Sequence, residues 1–498
     1  MRERFHLKAW PLTPIHVGDG EELTPENWTL AGDSLRRFQP FLALAAASDP
    51  QRTLYLQKLK GGDYVGAQKL LADLAVENGL LESAGVRVAP ASRADMDRVL
   101  NGAGAAKLAV RALTRSGETA ILPGSSIKGA IRTAWTQKAM LGKDHRTLLT
   151  AVQGTRTTRA AKQVPVVAFG MKSAGNLDQD PFRDLAVADA TVLPGTTRFD
   201  RATLGKLSRD NKAELDFSAT GGIQMHVECC ESLADGGVVS PMDVFVDLLP
   251  SDQFQTRGRS GQRRDVRNNS TRQVTPAVSI PALDLWAAIN SFHADLWNYE
   301  KARFYGTATS AGPLLERLLA AFGLSSGPNL SAQLTQKHLI LLRIGRYSQF
   351  ESKSLILNGE RHGMKAGTRG IPPRLMDAGG TRTTVRVAGN RNAPFGWLIL
   401  SLVGSGPTDP IKADLSGLIA TAQPLAPALG ARGAPPPPPQ ATSALATTFR
   451  FRKGDRVIHP EQGDAVVHRD VGVNETKMEI NFDGDIETWP VSGWTKRL

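Results

Sequence analysis

Apolar and polar residues alternate from the start of the chain, where Phe5, Leu7 and Ala9 fall on one face of a predicted strand. The same period of two recurs over residues 182–189, 223–229 and 242–248, which predicts three further strands. Helical spacing takes over at 66–81, with Leu70, Leu71, Leu74 and Leu80 on the apolar side. Ile127, Ile131, Trp135 and Ala139 give a second helix that starts around Ile127. A third runs over 282–304, where Leu285, Ile289, Phe292 and Leu296 form the stripe and Trp286 and Trp297 add bulk. Residues 339–344 and 395–400 are short continuous apolar runs and read as buried strands. Short strands mixed with a few helices predict an α+β fold rather than a doubly wound parallel sheet.

With 498 residues the chain has room for two or three domains. Residues 424–448 are a linker by composition, centred on the run from Pro435 to Pro439, which is stiff and cannot form a core. Beyond it, the stretch Phe451-Arg452-Lys453-Gly454-Asp455-Arg456-Val457 opens a separate unit at 449–498. Short apolar runs at Val466-Val467, around Ile480 and around Trp489 then predict a small SH3-like or Tudor-like β-barrel. Earlier in the chain, the first strand ends in a glycine loop at Gly18. The strand at 339–344 ends likewise at Gly345, followed by Arg346, Tyr347 and Lys353. The pair reads as an internal repeat, one loop per half, with halves at 1–220 and 221–423.

Lys and Arg number 60 against 48 acids, a net charge of +12. That excess points to a polyanionic partner, nucleic acid first and an anionic membrane surface second. The two cysteines, Cys229 and Cys230, are sequence neighbours, so neither a routine disulfide staple nor a zinc site is expected. No run approaches the roughly 18 apolar residues of a membrane span, and the charged N-terminus lacks an apolar signal core. The expectation is a soluble, reduced, cytoplasmic protein with no cofactor.

Candidate chemistry centres on Pro123-Gly124-Ser125-Ser126-Ile127-Lys128. The serines are expected to cap the helix. The N–H groups of Gly124, Ser125 and Ser126, with Lys128 and Arg132, are expected to cradle a phosphate. The order of a P-loop is absent. Ser125 and Lys128 do match Ser-x-x-Lys, which keeps a Ser-Lys acyl-transfer enzyme as a remote alternative, although its Ser-Asp-Asn and Lys-Thr-Gly companions are missing. In the first loop His16 and Gly18 are candidate RNA contacts. Asp19, Glu21 and Glu22 are the acids an RNA-cleaving site would use. Arg257, Arg259, Arg263 and Arg264 form the densest basic run, read as a solvated loop that orders on RNA. Arg343, Arg346, Lys353 and Arg382 extend the positive track.

These motifs together resemble the RAMP superfamily of type III CRISPR effector complexes. Residues 12–23 and 122–132 carry the resemblance, supported by 342–345 with Lys353 and by Phe395-Gly396-Trp397. The likeness runs to about residue 405 and is nearest to the group of the fifth Csm subunit of type III-A complexes. It implies two ferredoxin-like (RRM-like) halves with helical insertions, forming a groove for RNA. It further implies a non-catalytic role: binding crRNA at its 3′-end side and supporting guide maturation and complex assembly in antiviral defence. The implied partners are crRNA and target RNA, the repeated backbone RAMP subunit, other effector subunits and nucleases, and no membrane. A RAMP endoribonuclease using Asp19, Glu21 or Glu22 is the alternative. The linker and terminal barrel fall outside the resemblance.

Overall fold

Strand β1 (Glu3–Pro11) forms where the alternation begins, and its inward residues Leu7 and Ala9 are buried. It is the middle strand of a five-stranded antiparallel sheet with β2 (Leu185–Val187), β3 (Met242–Leu248), β4 (Leu339–Arg343) and β5 (Trp397–Leu402), in the order β4-β5-β1-β3-β2. In register, Glu3 faces Leu248 and Ala9 faces Met242, while Leu7 faces Leu402 and Pro11 faces Leu398. Strand β3 alternates buried and solvent-facing residues, as its pattern predicts for a sheet covered on one side. Strand β4 and the first five residues of β5 are buried throughout, so their unbroken apolar runs report burial on both faces.

The computed structural model describes residues 3–101, 108–141, 143, 164–173, 179–207, 215–216, 224–236, 239–248, 262–265, 270–273, 280–306, 311–348, 351–357, 360–364, 375–377, 384–388 and 393–403. In the C-terminal part it describes 449–451, 456–459, 463–467, 471–472, 477–482, 485–490 and 495–496.

Two helices pack beside the central sheet. Helix α1 (Gly124–Met140) buries Ile127, Ile131, Ala134 and Met140. Helix α2 (Ala282–Phe304) buries the predicted stripe of Leu285, Ile289, Phe292 and Leu296, together with Trp297, whose ring meets Trp397 edge-on at 4.9 Å. Its buried Asn290 bonds the carbonyl of Leu339 (2.9 Å) and the N–H of Leu341 (3.1 Å). That amide satisfies backbone groups on the outer side of β4, the edge strand of the sheet.

A second sheet joins strands at 28–31, 34–37, 86–88, 197–207, 224–230 and 108–111, in that spatial order, with parallel pairs between 86–88 and 197–207 and between 224–230 and 108–111. Its core includes Trp28, Leu35, Val110 and Phe199. The segment after β1 is sewn to this sheet: the Cys230 N–H donates to the Ile15 carbonyl at 3.0 Å and the Leu23 N–H to that of Val110 at 2.7 Å. The expected helix at 66–81 is observed at Tyr64–Glu77, capped by the Asp63 side chain on the N–H of Gly66.

The α+β class is observed, but the expected boundary between 220 and 221 does not separate two sheets. The strand at 224–230 pairs with that at 197–207, and β1 lies between β3 and β5 from the later half. Chain crossovers, which period alone cannot reveal, interleave the halves. Two compact units are found, the larger comprising 1–145, 164–363 and 377–426. The smaller contains 427–498, in which strands at 456–459, 463–467, 477–482, 485–490 and 495–496 form one antiparallel sheet. The linker at 424–448 lies outside the described residues. No described helix is long and apolar enough to cross a membrane.

Candidate nucleic-acid interface

Helix α1 starts at Gly124, three residues before the expected start, and neither serine caps it. The Gly124 N–H donates to Asp189 Oδ1 at 2.7 Å, and the Ser126 N–H closes onto the Pro123 carbonyl at 2.9 Å. A carboxylate is a favourable neighbour for the positive end of a helix. The anion position that the sequence assigns to a phosphate is therefore filled by the protein itself.

The two cations of that turn are also engaged. Lys128 Nζ donates to the Leu185 carbonyl at 2.6 Å. Arg132 forms a two-pronged pair with Asp180, at 2.8 and 3.1 Å, and lies over the rings of Phe182 (5.1 Å) and Phe169 (5.6 Å). These contacts correct the expectation that Lys128 and Arg132 face a ligand. Ser125 is exposed, and a lysine donating to a carbonyl is not placed as its base.

The other side of the helix is open. Ser126, Gly129, Ala130 and Thr133 line a cleft of about 510 Å³. At 3.6 residues per turn these four share one face, and Lys128 and Arg132 lie roughly 130° away from its centre. Facing that helix are Val17 and Gly18 of the first loop and, after β4, Ile344, Gly345, Arg346, Ser348, Ser352 and Lys353. The two glycine loops read as a repeat thus meet at one site. They are stitched together at His16, whose carbonyl accepts the Arg346 N–H at 2.9 Å. A third glycine turn completes the seam, since the Gly396 N–H donates to Pro14 and the Ile344 N–H to Gly396. A Cβ on Gly345 would stand 2.5 Å from the His16 carbonyl oxygen, and both Gly345 and Gly396 have left-handed backbone, φ +93° and +92°. Only glycine fits this seam.

Arg346 and Lys353 are exposed on the cleft, and neither has an acidic partner among the described residues. Arg343, by contrast, has its side chain fully buried against Glu300 and over Trp397, and donates to the Tyr347 carbonyl at 3.3 Å. It supports the loop rather than offering charge to solvent, which corrects its assignment as a contact.

His16 is likewise buried, 1% exposed. Its Nδ1–H donates to the Glu228 carbonyl at 2.7 Å and its ring lies near Tyr347. Burial pushes its pKa down to about 4, with Arg346 and Arg111 adding to the effect against the Glu228 carbonyl. The ring is neutral near pH 7 and supports the Gly18 loop from beneath. Between about pH 6.5 and 4 the unfolded chain binds a proton here that the folded chain refuses. The contribution is therefore intact above pH 6.5 and falls as pH drops towards 4, by about 3 kcal/mol for a shift of that size. Denaturant unfolding at pH 7 and pH 4.5 should show this loss, and His16→Asn should show a smaller one. Equal losses would rule out His16 as the group responsible.

Two of the three loop acids are engaged by the protein itself. Asp19 Oδ1 accepts the N–H of Glu21 at 2.9 Å, a local turn, and Glu22 pairs with Arg111 at 3.2 Å. Glu21 is exposed. Glu228, which the pattern did not single out, is a buried hub: its carboxylate accepts from Leu113 N–H (3.0 Å), Arg115 (2.5 Å) and Thr197 (3.0 Å). Arg263 and Arg264 lie on a hairpin strand, Gln262–Asp265, paired with Ser270–Gln273, where a loop was expected. Arg257, Arg259 and Arg382 lie outside the described residues.

A family model described as the RAMP superfamily matches residues 11–230, which contain the Gly18 loop and helix α1. This part of the chain is similar to the RAMP superfamily. Two solved structures are similar to this chain. One is a chain of a "Csm-crRNA-target RNA ternary complex in type III-A CRISPR-Cas system", 16% identical over 80% of this chain and 100% of that one, with a TM-score of 0.50. The other is T. onnurineus Csm5, 16% identical over 79% of this chain and all of that one, with a TM-score of 0.42. At these identities the likeness concerns the fold. A search of curated protein sequences finds no match.

Proposed function

We propose that the chain is a non-catalytic, crRNA-binding subunit of a type III-A CRISPR effector complex, seated at the 3′-end side of the guide and supporting its maturation and assembly. The carrying observation is the cleft itself: two cations without an acidic partner among the described residues, Arg346 and Lys353, beside exposed helix backbone at Gly129 and the two glycine loops. Such a site grips a sugar–phosphate chain without reading bases, which suits a guide whose spacer varies. The RAMP match and the fold shared with a chain of a Csm–crRNA–target RNA complex support the assignment. On this reading the partners are crRNA, target RNA, the repeated backbone subunit and the other effector subunits, including nucleases. The sheets are two ferredoxin-like halves, interleaved in sequence, and 449–498 is an SH3-like barrel.

Each phosphate neutralised on a single strand contributes about −0.7 to the slope of log K against log salt. The Arg346→Ala/Lys353→Ala double variant should therefore bind single-stranded RNA more weakly and with a slope shallower by about 1.4. An unchanged slope, read by fluorescence anisotropy across a salt series, would exclude this cleft as the phosphate track.

A further inference from the structure

Two hydroxyls on the cleft wall are not free to donate. Thr133 Oγ1 gives its hydrogen to the Gly129 carbonyl at 3.1 Å, and Ser348 Oγ gives its hydrogen to the Gly345 carbonyl at 2.8 Å. A hydroxyl carries one hydrogen and two lone pairs, so both side chains offer the cleft acceptors only. Phosphate oxygens are themselves acceptors and gain nothing from them. The ligand group these positions suit is a donor.

Arg346 and Lys353 supply the opposite chemistry on the same cleft, cations without an acidic partner among the described residues. A ligand that answers both has an anion and a neutral donor in each repeating unit. Ribonucleotides have both, the phosphate and the 2′-hydroxyl. Deoxyribonucleotides lack the second. Base amino groups are donors too, but they change with sequence, whereas the 2′-hydroxyl recurs at every nucleotide. Gly129 strengthens the case: a Cβ there would meet nothing within 4 Å, so the helix backbone lies bare to a closely approaching sugar.

We infer that this cleft selects ribose over deoxyribose, with Thr133 Oγ1 and Ser348 Oγ accepting hydrogen bonds from 2′-hydroxyls while Arg346 and Lys353 hold the adjoining phosphates. The inference rests on the RNA-binding reading and adds the group that is recognised. Thr133 Oγ1 is the acceptor open to solvent, so a strand that covers it without offering a donor leaves it without water or partner. A site built around a hydroxyl discriminates against the analogue without it for that reason.

The test uses the full chain and three labelled oligonucleotides of one mixed sequence: RNA, DNA, and RNA with 2′-fluorine, which keeps the shape but cannot donate. RNA should bind roughly tenfold tighter than either of the others. In the Thr133→Val/Ser348→Ala variant the RNA-to-DNA ratio should fall close to one. Equal affinity of unmodified protein for RNA and 2′-fluoro RNA would overturn the inference while leaving strand binding intact. An RNA preference undiminished in the variant would overturn the assignment to these two residues. Binding of none of the three would overturn the parent reading as well.

Discussion

Replacing Gly124 with alanine is expected to destabilise the protein by about 3 kcal/mol or more, the upper end of what overpacking costs. A Cβ at this position would stand 2.2 Å from the carbonyl oxygen of Val187 and 2.7 Å from that of Ala188. Both are backbone atoms at the end of β2, so neither can rotate away as a side chain would. The helix would have to retreat, and the retreat would pull the Gly124 N–H off Asp189, 2.7 Å away, uncovering a charge-assisted bond at the helix start. The same helix provides its own control. At Gly129 a Cβ meets nothing within 4 Å, and alanine is the better helix former by about 1 kcal/mol, so Gly129→Ala should be neutral or stabilising. The denaturant midpoint should fall for Gly124→Ala and stay level or rise for Gly129→Ala. A Gly124→Ala protein as stable as the parent would show that α1 does not sit against β2 as described. The expected consequence for function follows from the same geometry, because one helix carries both the contact at Gly124 and the cleft wall at Ser126 and Thr133.

That contrast also shows what could be read from the chain beforehand. Period alone located β3 at Met242–Leu248 and α2 at Ala282–Phe304, because each carries one long, regular apolar stripe. The glycine loops at Gly18 and Gly345 were legible as a pair, since turn residues keep their signature wherever the strands lie. Which side of α1 lines the cleft was not legible in the same way. Lys128 and Arg132 have the residue types of a phosphate site, and a reading by residue type chooses them. Their pairing with Leu185 and Asp180 depends on a segment some 50 residues further on, and nothing local announces it. The spacing of Ser126, Gly129 and Thr133 did contain a signal, a small polar face at helical intervals. Small residues are common on any helix, and this face gains meaning only when Arg346 and Lys353 are found opposite. Glu228 and Asp189 act through long-range bonds to Leu113, Arg115 and Gly124, which no periodicity encodes.

The second large effect should come from the buried pair beneath the cleft. Arg343→Met is expected to cost about 3–5 kcal/mol, because removing one partner strips Glu300 of its counter-charge where water cannot replace it. Replacing both, as Arg343→Met with Glu300→Leu, removes the stranded charge along with the pair, and most of the loss should be regained. Function separates the roles further. Arg343 touches no solvent, yet it donates to the Tyr347 carbonyl in the loop that presents Arg346, and its guanidinium rests over Trp397 at the seam with Gly396. Its loss should loosen the loop and weaken RNA binding at every salt concentration by a similar factor, leaving the salt slope near that of the parent. Loss of Arg346 and Lys353 should flatten the slope while leaving the unfolding midpoint nearly unchanged, since exposed charges contribute little to stability. A flattened slope in Arg343→Met would mean that the arginine itself reaches a phosphate, and the division between a buried support and an exposed grip would then be wrong.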